Sequence, residues 1–176
     1  MSVEDSFDAH AALEAIGSLG YLQPSALSSI LALLQDAVIE HPKKVCARYR
    51  GTGAQLSHAE KRVAGVRANA LLSRQAFGEL TERGKTIPLQ AHELTLLRAE
   101  FTLCRKSLIS RAKDPEFGPD TRFTHVQFSA RCQGCARLKS FGRVPAEYVQ
   151  IMPPIDCETE TCDLMIDLHM DWLVRA

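Results

Sequence analysis

The first 42 residues contain no lysine and no arginine, and the last 32 contain only Arg175. No apolar run approaches the roughly 20 residues that a bilayer crossing requires. The opening stretch Met1–Asp8 is acidic. It lacks the basic start and apolar core of a secretory signal, so the expected location is cytoplasmic. In a reducing compartment the six cysteines read as metal ligands and free thiols before they read as disulfides.

Other absences narrow the chemistry. No Gly-x-Ser-x-Gly elbow is present, and Gly51-Thr52-Gly53 is too short for a phosphate loop. His92-Glu93 begins like a zinc-protease helix, but Leu96 stands where the second histidine is needed. Asn69 is the sole asparagine, and neither His nor Asn lies between Cys135 and Cys157. That argues against a zinc-stabilised HNH nuclease, whose catalytic His and Asn lie near its cysteine knuckles.

What is present is a paired cysteine constellation, Cys132-x2-Cys135, twenty-one residues, then Cys157-x4-Cys162. Two close pairs of soft thiolates suit a tetrahedral Zn²⁺, and four thiolates leave no open position for water or substrate. The expected zinc is therefore structural. A redox role for Cys132 and Cys135 is the rival reading. The second pair is wider than the usual C-x2-C, so His125 or His169 could stand in for a cysteine. Cys46, among Lys43, Lys44, Arg48 and Arg50, reads as an activated thiol or as an ordinary semi-buried one, while Cys104 is expected in the core. Asp163, Asp167 and Asp171, with His169, form an acidic strand face that could also hold a divalent ion.

A zero net charge conceals strong segregation. Residues 1–42, 43–113, 114–144 and 145–176 carry −6, +10, +2 and −6. Such a basic middle attracts polyanions, unless the acidic ends fold onto it. The candidate nucleic-acid-binding residues are Lys61, Arg62, Arg67 and Arg74, with Arg98 and Arg105 behind them.

Apolar spacing predicts an α+β protein. Helices are expected at about 9–19, stopped by Gly20, and from Pro24 to His41-Pro42 on a stripe of Leu27, Ile30, Leu31, Leu34 and Val38. Ser57-x-x-Glu60 has the form of a capping box, and Ser73 caps a helix ending at Gly84. A long helix runs from Pro88 to Lys113 on a stripe of Leu94, Leu97, Phe101, Cys104 and Leu108. Past the turn-rich break at 114–120 the period becomes two, at Thr124–Phe128 and Leu164–Trp172. The expected organisation is a helical domain at 1–113 and a four-cysteine zinc module at 121–176, packed as one unit.

The run Cys132-Gln133-Gly134-Cys135-Ala136-Arg137-Leu138, with Gly142-Arg143-Val144, Met152-Pro153-Pro154 and Cys157…Cys162, resembles the cysteine cassette that ends phage Mu F-like minor head proteins. The resemblance covers about thirty residues and departs at the closing cluster, where that family brings its His and Cys closer together. It implies a phage or prophage origin. Three functions follow from the sequence: a non-enzymatic zinc-stabilised protein binding nucleic acid or a protein partner through its basic helices, a phage assembly or host-modulating protein acting by protein contacts, or an enzyme whose site is assembled from distant residues.

Overall fold

A computed structural model describes residues 7–113, 123–129, 140–145 and 165–170. These residues are mostly helical. Helix α1 spans Phe7–Leu19 and stops at Gly20, whose φ of 63° suits a residue without a Cβ. A 3-10 turn at Pro24–Ala26 feeds α2, Leu27–Ala37. Its inward face is Ile30, Leu33, Leu34 and Ala37; Val38, expected on that stripe, is exposed beyond the helix end. Alanines 9, 11, 12 and 15 are fully buried, and α1 packs on α2. Side chains this small let two backbones approach closely.

Helix α3, Pro42–Gly51, was not expected from the spacing. His41-Pro42 opens it rather than only closing α2: Pro42 occupies the first turn, where its missing N–H costs nothing, and His41 Nδ1 accepts from the Lys43 amide at 3.1 Å.

The capping box forms as read. In α4, His58–Val63, Ser57 Oγ accepts from the Glu60 amide at 3.3 Å, while Glu60 accepts from the Ser57 amide at 2.7 Å. Ser73 caps α5, but that helix is only Arg74–Gly78. Gly84 instead enters a second 3-10 turn, Gly84–Thr86. A Cβ at position 84 would sit 2.0 Å from the Tyr21 carbonyl oxygen, so only glycine fits there. Leu56, Val66, Leu72 and Ala76 form a small core beneath α4 and α5, with Tyr49, Phe77 and Leu89 packed against it.

Helix α6 spans Ala91–Lys113. Its buried positions include His92, Thr95, Leu96, Ala99, Thr102 and Lys106. At 100° per residue this face lies roughly opposite the expected Leu94–Cys104 stripe. Cys104 is exposed, not core. The inward face tolerates His92 and Arg98 because each meets a carboxylate, so apolar periodicity alone misplaces it.

The chain divides into two units, Met1–Glu100 and Phe101–Ala176. The sequence break at 114–120 lies outside the described residues. The second unit holds a three-stranded antiparallel sheet of order β2-β1-β3, with β1 Phe123–Ser129, β2 Arg143–Pro145 and β3 Met165–Met170. Val126 pairs with Val144 on one side and Leu168 on the other. Strands β1 and β3 fall where period-two spacing places them; β2 was not anticipated. No helix among the described residues is long and apolar enough to cross a membrane.

Candidate functional site

The acidic N-terminal segment does fold onto part of the basic middle. Arg48 Nη2 meets Asp36 at 3.0 Å, and Arg48 Nη1 also pairs with Glu40. Arg98 reaches 84 residues back to Glu14, with Nη2 at 2.9 Å and Nε at 3.2 Å from one carboxylate oxygen. Arg98 is only 3% exposed, so this pair lies inside the helical unit.

The six basic residues singled out in the sequence therefore have different surroundings. Lys61 is buried, and its Nζ donates to the Ala68 carbonyl at 3.2 Å. Arg74 forks onto Glu60, Nη1 to Oε1 at 2.7 Å and Nη2 to Oε2 at 2.8 Å. Arg62 and Arg67 are exposed. The Arg105 side chain lies outside the described residues.

A polar cluster unforeseen in the sequence sits between the helices. The Glu79 carboxylate accepts from Ser29 Oγ of α2 at 2.6 Å and lies 2.8 Å from His92 Nε2 of α6. The Tyr49 hydroxyl of α3 lies 2.8 Å from both carboxylate oxygens. The Tyr49 and His92 rings stand 5.3 Å apart and tilted. Burial pushes Glu79 toward its neutral form, but the donors His92, Ser29 and Tyr49 outweigh it and hold the pKa below its ordinary value. Burial, with Glu79 nearby, pushes the Tyr49 hydroxyl up to about 12. His92 is fully buried and its Nδ1 has no hydrogen-bond partner. The cluster braces three helices.

Cys46 is fully buried, and burial pushes its thiol up to about 12 despite Arg50 nearby. The activated-thiol reading of its basic neighbours is thereby overturned: desolvation outweighs charge.

The opposite side of the α5 segment is open. A groove of about 630 Å³ runs between α4 and α5. Helix α4 supplies Ala59, Glu60 and Val63, followed by Ala64; α5 supplies Arg74, Phe77 and Gly78 at helical spacing. Leu56 completes the apolar lining, and Lys85 stands on the rim. Val63 is 91% exposed at its edge. Sequence reasoning missed the groove because two short helices are set side by side by their caps, Ser57 and Ser73, and not by a long apolar stripe.

Cys132, Cys135, Cys157 and Cys162 lie outside the described residues. Among the described residues no group of three or more His, Cys, Asp or Glu could hold a metal ion. The strands nevertheless fix where the cysteines are tethered. Ser129, the last residue of β1, is the register partner of Met165, the first of β3. Cys132 follows Ser129 by three residues and Cys162 precedes Met165 by three. Cys132 and Cys162 are thus each three residues along the chain from one rung of the sheet. His125 and His169 are partners four rungs back along β1, about 13 Å at 3.3 Å per residue.

No protein-family model, curated protein or solved structure matches the chain.

Proposed function

We propose that this chain is a non-enzymatic binding protein that recognises a protein partner through its helical unit, with a zinc-stabilised C-terminal module. The observation that carries the reading is how the basic residues are used. Arg48, Arg74, Lys85 and Arg98 all pair with acids, and Lys61 is buried. What stays open mixes exposed cations, Lys43, Lys44, Arg62, Arg67 and Arg83, with exposed apolar groups, Val38, Ile39, Val63 and Leu71. Cations and apolar groups side by side are typical of protein interfaces, whereas a phosphate track is a continuous stripe of Lys and Arg. Nucleic-acid binding remains the second reading, supported by the +10 charge of residues 43–113. A pull-down from native lysate, with and without nuclease, separates the two. A saturable complex that survives nuclease and tolerates salt supports protein recognition. Binding that disappears with nuclease, or that falls steeply with salt through counterion release, overturns it. The phage-assembly reading is the special case in which that partner is a virion component.

The zinc rests on the donor set and on the Ser129–Met165 rung. Three residues span at most about 11 Å, so Cys132 and Cys162 can meet around one ion with Zn–S bonds of about 2.3 Å. Purified protein should contain one Zn per chain. Cys132→Ser or Cys157→Ser should release it and destabilise the second unit, while Cys46→Ser should retain the metal. Metal-free protein from reducing, chelator-free preparations sinks the assignment.

A further inference from the structure

We infer that the groove between α4 and α5 docks a partner segment carrying a bulky apolar side chain flanked by acidic ones. The inference rests on the protein-recognition reading and assigns it a place. The lining is mostly apolar: Ala59, Val63 and Ala64 from α4 and the residue after it, Phe77 and Gly78 from α5, and Leu56. Its volume, about 630 Å³, lies inside the usual ligand-site range of about 300–1,000 Å³. Gly78 is one of the residues that line the groove. A Cβ there would meet nothing within 4 Å, so neither packing nor a positive φ requires glycine at that helical position.

Charge decides the occupant. The charged residues that line the groove are Arg74, Lys85 and Glu60, a net charge of +1. Lys85 pairs with Glu82, itself 90% exposed, across one turn. An exposed i,i+3 pair contributes little and is easily exchanged for a partner's carboxylate. Arg74 adds a guanidinium that is 56% exposed even while it holds Glu60. A nucleic acid fits less well, because single strands need aromatic platforms for stacking and the groove offers only Phe77.

The test uses the full chain and three labelled probes: a synthetic amphipathic peptide with Leu and Trp on one face and Asp and Glu on the other, the same peptide with Lys replacing the acids, and a short single-stranded oligonucleotide. Fluorescence anisotropy should show the acidic peptide binding most tightly. Gly78→Trp adds a bulky side chain to the groove lining at a position where a Cβ meets nothing within 4 Å, and should weaken that binding by about tenfold or more, as for a central anchor. Lys85→Glu should weaken it by about fivefold, as for a rim charge, and Arg48→Glu, outside the groove, by less than about twofold. Circular dichroism confirms that each variant is folded. Any of four results overturns the assignment: no binding of the acidic peptide, equal binding of the lysine peptide, tighter binding of the oligonucleotide, or full affinity in folded Gly78→Trp. The two readings fail separately. If Gly78→Trp captures the nuclease-resistant lysate complex as well as wild type does, the groove is wrong and protein recognition stands. If no such complex forms, protein recognition is wrong.

Discussion

The segment Ser73–Glu79 faces two regions that handle polar groups in opposite ways. On one side Glu79 is enclosed by Ser29, Tyr49 and His92, and both carboxylate oxygens are used internally. On the other, Arg74, Phe77 and Gly78 border an open groove whose cations hold exposed carboxylates. The same few residues thus contribute to rigidity and to availability. The difference teaches which charges the fold depends on: those that cannot fall back on water when a partner is removed.

The largest expected effect is therefore on the enclosed side. Glu79→Ala leaves the donors of Ser29, Tyr49 and His92 without their acceptor, and should cost about 4 kcal/mol in urea unfolding. A loss below about 1 kcal/mol would show that water enters the cluster freely. Next comes Arg98→Ala, which removes the guanidinium paired with the partly buried Glu14 and should cost about 3 kcal/mol. Arg48→Ala removes a guanidinium that is 54% exposed and should cost less than about 1 kcal/mol, although Arg48 touches two acids. If the two arginine variants lose equal stability, burial is not what distinguishes them.

The smallest effect concerns pH. The Ser57 hydroxyl and amide, and then Arg74, lower the Glu60 carboxyl from 4.5 to about 2. A carboxylate with a depressed folded-state pKa stabilises the fold above its unfolded pKa and loses that contribution as pH falls through the folded one. Glu60→Gln should thus be less stable than wild type at neutral pH, and the gap should close between pH 4.5 and about 2. A gap constant across that window would assign the effect to the backbone turn rather than to the charge.

Much of the helical fold was legible because local chemistry marks helix ends. Gly20, Ser57-x-x-Glu60 and Ser73 each act within four residues; the first two act as read, and Ser73 caps a helix that ends at Gly78 and not at Gly84. The strands β1 and β3 were legible from alternation. Three features were not. His41-Pro42 was read as a stop because proline restricts the residue before it, yet the same proline suits a first turn. The inward face of α6 was hidden because His92 and Arg98 are buried by virtue of partners 13 and 84 residues away. The groove was hidden because it is a relation between two short helices. The acidic ends raised the question of neutralisation, and Glu14, Asp36 and Glu40 answer it in part, but spacing alone could not say which arginines they would meet.

Lys61 adds a practical consequence. Its amine is held against the Ala68 carbonyl and is 6% exposed, in a chain where Lys43, Lys44 and Lys85 are open to solvent. An acylating reagent should label those three at once and reach Lys61 only when the turn from 61 to 68 opens. Lys61 is thus a native reporter of breathing beside the groove, readable by mass spectrometry without introducing a label. If an occupant seals the groove, the acylation of this one lysine should slow while that of Lys43 and Lys44 keeps its pace.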